Sequence, residues 1–310
     1  MVTSKRIVVT GADGCVGGAI AEHLRAAGHQ VVAQVFGRAA VPERGEVRLD
    51  LTRERVEDVL PRGPVDAIVH AAGVVNPRVP DAVMFGVNTG GTEAMLRWGE
   101  AQGCGHFVQI SSVSVYGARA LGQGRVEGTH RIRFAALAYG RSKALAEVRV
   151  EHARLPYSLL RLPMVIGRGD VFTTPAVLGG LRGGTLFMSG PGDVSTSMIG
   201  VPNLGPLTEA VVSAGPAQGP LNFADHHVVW RALLAEYAAA AQLPFDVKRP
   251  PLPTDVLRGR ASEYFLLYGM SRFGGEFPTD ALDAHLARAG QRPPLTDWRV
   301  AVRDAVDGSP

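Results

Sequence analysis

Thr10-Gly11-Ala12-Asp13-Gly14-Cys15-Val16-Gly17 decides the reading of this chain, because it follows the apolar β-type run Arg6-Ile7-Val8-Val9 and leads straight into a segment of helical pattern. Strand, glycine turn and helix, in that order, present a phosphate cradle. Gly11 permits the sharp turn, Gly14 lets the backbone approach a pyrophosphate, and Gly17 lets the helix lie close on its strand. The free N–H groups and positive dipole end of the helix then face the anion. Ordinary βα turns carry the same glycine triplet. Here, however, it closes the first strand of the chain, where dinucleotide folds place it.

Outward from this stretch, short β-type runs alternate with helix-length amphipathic segments, the pattern of an α/β protein with a doubly wound parallel sheet. Strands are expected at 6–10, 31–36, 46–51, 66–71, 106–112 and 158–162, and helices at 15–27, 88–100 and 139–154. Beyond Pro163 the glycine-rich region 167–192 loses clean periodicity, apart from a helix expected over 175–181. Residues 1–165 therefore read as a dinucleotide-binding core. Residues 166–310 read mostly as a smaller C-terminal lobe covering the substrate, with a strand near 220–225 and a helix at 228–242 returning to the core. The proline-rich 249–253 reads as a turn or linker, and the tail from Thr279 as one or two short helices.

Composition narrows the partners. Lys and Arg number 32 against 29 Asp and Glu, a net charge of +3 with both signs interspersed, so nucleic acid is a poor partner. Cys15 and Cys104 match no ligand spacing and are expected to be reduced packing residues, and no metal site is expected. The N-terminal apolar run is broken by Gly11 and Asp13, unlike a secretory signal, and no run of about 18 apolar residues is present to span a membrane. A cytoplasmic protein acting on a small molecule is expected.

Tyr139 and Lys143, in Ala138-Tyr-Gly-Arg-Ser-Lys143, stand four residues apart on a helical pattern and so share a helix face. An ammonium beside a phenol stabilises the phenolate and pulls its pKa down from about 10, preparing it to trade a proton with a substrate oxygen. The strand 106–112 ends in Ser111-Ser112 before Val113-Ser114-Val115-Tyr116. A hydroxyl at that carboxyl end can hydrogen-bond a reacting carbonyl. Ser112 is the preferred candidate, with Ser111 and Ser114 as competitors; a strand-end or turn hydroxyl bonding its own backbone is the other reading of each, and weighs more for Ser111 and Ser114 than for Ser112.

The end of the second strand meets the adenosine ribose in dinucleotide folds, where an acid binds the 2′-hydroxyl and an arginine accommodates a 2′-phosphate. Val35 occupies the acid position, with Phe36 next and Arg38 beyond, which favours NADP(H) over NAD(H). Asp50-Leu51 is placed to meet adenine, although Asp50 could instead cap the segment starting at Thr52. His70-Ala71-Ala72-Gly73 ends a strand in small residues that suit a closely lying cofactor, with His70 itself read as packed or capping.

Together, TGADGCVG, Asp50-Leu51, His70-Ala-Ala-Gly73, Asn88 in VNTGGTEAML, SSVSVYG and YGRSK resemble the extended short-chain dehydrogenase/reductase family, the epimerase/dehydratase-like branch with a Rossmann fold. The likeness runs from about Val2 to Asn222. It implies that Gly11, Gly14, Cys15, Val16 and Gly17 form the pyrophosphate turn and that Asp50 and Leu51 contact adenine. It further places Ala71, Ala72, Gly73, Asn88 and Pro163 near the cofactor, with an ordinary helix cap as the other explanation of Asn88. Ser112 falls on the catalytic hydroxyl, Tyr139 on the acid/base, and Lys143 on the residue that tunes the tyrosine and holds the nicotinamide ribose.

One departure bears on the substrate. Members acting on nucleotide sugars usually carry an asparagine where this chain has Met164, and Pro163 is similar to members acting on hydrophobic alcohols and ketones. Ser114, Tyr116, Met164 and Phe172 are the candidate substrate contacts, and Leu181, Phe187 and Met188 would extend an apolar pocket unless they serve the core. The expected activity is an NADP(H)-dependent ketoreductase or alcohol dehydrogenase for a small apolar metabolite. The alternative is a nucleotide-sugar epimerase, dehydratase or reductase, with Arg249, Arg258, Arg260 and Arg272 available for a diphosphate. A non-catalytic cofactor sensor is a third possibility, and the family implies a homodimer.

Overall fold

The computed structural model describes residues 4–309 apart from 77, 121, 123, 125, 129–136, 185, 187, 189, 249–271 and 291. The chain starts with β1 (Arg6–Thr10), α1 (Cys15–Ala26), β2 (Gln30–Val35), β3 (Glu46–Arg48), α2 (Val56–Val59) and β4 (Ala67–His70). It continues through α3 (Asp81–Phe85), a π-helical turn at Gly86–Gly91, α4 (Thr92–Ala101), β5 (Phe107–Ser112), α5 (Ala138–His152) and β6 (Tyr157–Leu162). Then come β7 (Met164–Ile166), α6 (Thr173–Arg182), β8 (Ser195–Gly200), α7 (Val201–Ala214), β9 (Pro220–Asn222), β10 (His226–Val229) and α8 (Trp230–Ala240). Helices α9 (Asp280–Arg288) and α10 (Trp298–Asp307) follow.

The main sheet is parallel throughout, in the order β3-β2-β1-β4-β5-β6-β9. Its apolar runs are buried on both faces, as a doubly wound sheet requires. Ile7, Val9, Ala67, Val69, Val108 and Ile110 face a core shared with α1, α7 and α9. The alternate residues Val8, Ile68 and Phe107 pack with residues of α2, α4 and α5 on the opposite side. Strand order reverses between β1 and β4, and ligands of open α/β sheets bind beyond the carboxyl ends at such a switch point.

A second, three-stranded sheet, β10-β8-β7, lies with α6, α8 and α10 around its own apolar core. The residues expected to form the C-terminal lobe divide between the two cores, and α8, expected to return to the main core, packs in this second one. Helices α7 and α9 pack on the main sheet and belong to its core. The helix expected from 228 begins only at Trp230, because His226–Val229 is a strand antiparallel to β8. Among the described residues no helix is long and apolar enough to cross a membrane.

Candidate active site

The glycine turn lies where β1 meets the exit of β4. Gly11 has φ of 67°, and a Cβ there would stand 2.8 Å from both Cα and N of Ala72, so the turn can press on Ala71–Gly73 only as glycine. A Cβ at Gly17 would overlap the carbonyl oxygen of Gly11. Gln34, buried in β2, braces the turn: its Oε1 accepts from Gly11 N at 2.8 Å and its Nε2 donates to Leu49 O at 2.7 Å. Nothing in the sequence pattern marked Gln34 for this task.

Helix α1 has no side-chain cap and no acid in its first turn, which leaves the N–H groups around Cys15, Val16 and Gly17 to an anion. A cradle that side chains would fill, ending in an uncapped helix, fits the pyrophosphate of a nicotinamide dinucleotide. The Cys15 thiol donates to Arg168 O at 3.4 Å, and burial, with Asp170 nearby, pushes it up to about 11. It is a packing contact between the turn and the segment after β7.

At the adenosine end the side chains depart from expectation. Arg38 forms a two-point pair with buried Glu46, Nη1–Oε2 at 2.6 Å and Nη2–Oε1 at 2.9 Å, and its hydrogen bonds hold the Glu46 carboxyl down near 2. Glu46 lies opposite Ala33 in the sheet, two residues before β2 ends, so the Arg38 side chain runs back along the strand. Asp13 instead occupies the strand end, its Oδ2 accepting from Phe36 N at 3.0 Å and Gly37 N at 2.5 Å. The Oδ1 of Asp50 accepts from Thr52 N at 2.9 Å and Thr52 Oγ1 at 2.6 Å, closing a turn rather than capping a helix, since α2 starts only at Val56, and Leu51 packs toward Gly91.

The carboxyl end of β5 gathers the candidate reacting groups. Ser112 Oγ accepts from Ser114 N at 3.1 Å and donates to Ser114 Oγ at 3.1 Å, and it stands close enough to the Tyr139 phenol to lower its pKa. Ser111 points to the opposite side and donates to Glu147 Oε1 at 2.6 Å, which removes it from contention. Lys143 is buried, and its Nζ donates to Ile110 O at 2.8 Å. A Cβ on Gly73 would lie 3.2 Å from both Lys143 Nζ and Asn88 Oδ1, so Gly73, Asn88 and Lys143 meet at one place. Asn88 is a brace rather than a helix cap. Its amide joins Val74 N and O, at 2.7 and 2.9 Å, to Ser142 Oγ at 2.9 Å.

The electrostatics also differ from expectation. Burial raises the Tyr139 pKa, offset only by the Ser112 hydrogen bond, while burial lowers Lys143 to about 8 against the pull of Glu147. The ammonium is engaged with Ile110, and desolvation of the phenol outweighs its neighbours. His70 is a packed residue, bonded through Nδ1 to Thr10 Oγ1 at 2.7 Å. Burial, with Lys143 near, lowers its pKa to about 3.

Tyr116, expected to contact substrate, is fully buried. Its hydroxyl donates to Asn222 Oδ1 at 2.7 Å and its ring stacks on Phe277 with centroids 5.7 Å apart. Leu181 and Met188 likewise belong to the lobe core. Met164 is half-buried in β7 against that core, Pro163 is half-buried at the β6–β7 junction, and Phe172 is exposed before α6. Arg272 is exposed beside Gly190. Phe187, Arg249, Arg258 and Arg260 lie outside the described residues. Among the described residues no group of three or more His, Cys, Asp or Glu could hold a metal ion.

No curated protein matches the chain. Solved structures match it over nearly its whole length. The Bordetella bronchiseptica enzyme WbmH, in complex with NAD+, is 19% identical with a TM-score of 0.75, covering 98% of each chain. A UDP-glucuronic acid 4-epimerase from Bacillus cereus, in complex with NAD, is 15% identical with a TM-score of 0.72, covering 98% of this chain and 96% of that one. RMD from Pseudomonas aeruginosa, complexed with NADPH, is 22% identical with a TM-score of 0.69, covering 98% and 99%. These likenesses show the shared fold. Residues 7–178, which carry the glycine turn, Ser112, Tyr139 and Lys143, match the profile of one family, and the chain belongs to it: the NAD dependent epimerase/dehydratase family.

Proposed function

We propose that this protein is an enzyme that oxidises and re-reduces a carbinol of a nucleotide-linked sugar, as an epimerase or dehydratase does. The observation that carries the reading is the placement of Ser112, Tyr139 and Lys143 at the end of β5, with Lys143 Nζ on Ile110 O at 2.8 Å, in the same chain as the glycine cradle. Membership of the family and the name of the Bacillus cereus neighbour support the substrate class. A bound nicotinamide would supply the hydride chemistry. Gly11, Gly14 and Gly17 with the first turn of α1 would hold its pyrophosphate, and Lys143, Asn88 and Gly73 would border its far end.

Ser112 would hold the reacting oxygen as charge develops on it. Tyr139 would move the proton. Burial keeps its phenol protonated, so the resting group is set to donate. Uptake of a proton needs positive charge close by, which Lys143 carries below its pKa of about 8. For the cofactor, Asp13 at the end of β2 and the commitment of Arg38 to Glu46 support NAD rather than NADP(H).

A second reading, reduction of an apolar ketone, is favoured by one observation, the half-buried Met164 against the apolar lobe core. The two separate on purified protein. Turnover of nucleotide sugars with NAD and no net consumption supports the first. Stoichiometric oxidation of reduced nicotinamide by apolar ketones alone would overturn it.

A further inference from the structure

One turn beyond Lys143 on α5, the side chain of Glu147 is fully buried. Its Oε1 accepts from Ser111 Oγ at 2.6 Å and Arg161 Nε at 3.0 Å, and its Oε2 accepts from Arg161 Nη2 at 2.8 Å. Arg161, buried in β6, uses Nη1 on the Tyr116 hydroxyl at 3.1 Å and the Glu127 carbonyl oxygen at 3.2 Å, with its guanidinium over the Tyr116 ring. The chain of bonds continues into the lobe side of the molecule. Tyr116 donates to Asn222, Asn222 Nδ2 donates to Pro278 O at 3.0 Å, and Phe277 N donates to Ser197 Oγ of β8 at 2.8 Å.

A buried ion pair adds little net stability over apolar packing of similar volume. What this one provides is geometry. Tyr139, Lys143 and Glu147 recur at four-residue spacing along one side of α5. The planar fork of Arg161 allows the carboxylate a single orientation, and Ser111 ties it to the residue beside Ser112. We propose that Glu147 is a positioning residue: clamped by Arg161 and Ser111, it fixes the rotation and height of α5 over β5, and thereby sets Lys143 at the Ile110 carbonyl oxygen and Tyr139 against Ser112.

The groups around Lys143 keep the expected response simple. Glu147 faces it from its own helix and His70 from β4, and His70 is neutral above about 3. Arg161 from β6, Ser111 from β5 and Tyr116 face Glu147. The role in turnover rests on the activity proposed above, whereas the effect on Lys143 can be read without substrate.

The chain has three lysines, Lys5, Lys143 and Lys248, so isotope-labelled lysine NMR of the full-length protein resolves Lys143. In Glu147→Gln its midpoint should fall below that of the wild type, and in Ser111→Ala it should move less in the same direction. With turnover in hand, kcat of Glu147→Gln should drop by up to about 100-fold with KM little changed, as expected for misplaced reacting groups. A folded Glu147→Gln protein with wild-type Lys143 titration and kcat overturns the proposal. Should that variant fail to fold, Glu147→Gln/Arg161→Met removes the stranded guanidinium. A displaced Lys143 signal there supports the clamp, and a wild-type signal overturns it. Displaced Lys143 signals in the variants, with no turnover even by the wild type, would support the positioning role and contradict the proposed activity.

Discussion

Lys143, one helical turn beyond Tyr139 on α5, gives an ammonium hydrogen to the Ile110 carbonyl oxygen at 2.8 Å, while Ser112 stands beside the Tyr139 phenol. In the proposed reaction phenol and serine act on the same oxygen, and the lysine acts from the side. Tyr139→Phe should therefore lower kcat by about 10²–10⁴-fold, the usual worth of a positioned acid/base group. It should leave the dissociation constant of the nicotinamide cofactor nearly unchanged, because the glycine cradle is untouched. Steady-state kinetics beside calorimetric titration check this, and a matched loss of cofactor affinity would contradict it.

The Arg38–Glu46 pair makes a second prediction. Arg38→Ala should leave NAD affinity unaltered and should not selectively weaken NADP, since this guanidinium is turned back along β2. Its cost should appear in stability, because Glu46 loses its two-point partner and keeps only the Val41 N–H and the more distant Arg44. Denaturant unfolding and paired titrations with the two cofactors measure both. A selective loss of NADP binding would return Arg38 to the ribose site.

Two glycines separate cradle geometry from backbone strain. Gly17→Ala drives a methyl into the Gly11 carbonyl oxygen and should abolish measurable cofactor binding. Gly28→Ala places a methyl in open space at φ of 88°, so it should cost about 1–2 kcal/mol through left-handed strain alone and leave binding intact. Binding and unfolding measured on both variants should give opposite patterns.

Acid should destabilise this fold early. His70 and His106 are held neutral by burial, each with a pKa of about 3 against 6.5 unfolded. As pH falls below about 6.5 the unfolded chain takes up protons that the native state refuses, so stability drops by up to about 1.4 kcal/mol per pH unit for each histidine down to about pH 3. Unfolding free energies between pH 7 and 4 should show nearly double that slope, and His106→Gln should roughly halve it.

Much of this was legible in the residues. The run 6–17 reads as strand, turn and helix because its apolar period changes within a few residues, and Tyr139, Lys143 and Ser112 were legible because helix spacing and strand ends dictate where they point. The Arg38–Glu46 pair was not legible because it depends on the β2–β3 register, which no local pattern states. Tyr116 was misread because a turn residue can face either way, and its hydroxyl found Asn222, 106 residues distant in sequence. Strands β7, β8 and β10 are short and set among glycines, and β8 pairs with β7 and β10 across long separations. Glu147 sat in view four residues after Lys143, but a helix carboxylate reads as solvent-facing until Arg161 arrives from β6.

The most direct test is a rapid-mixing experiment in which NAD-loaded protein meets UDP-glucuronic acid and related nucleotide sugars while the absorbance of reduced nicotinamide is followed. A transient rise and decay with the wild type, absent in Tyr139→Phe, is the predicted result. Identical traces for the wild type and Tyr139→Phe would contradict it.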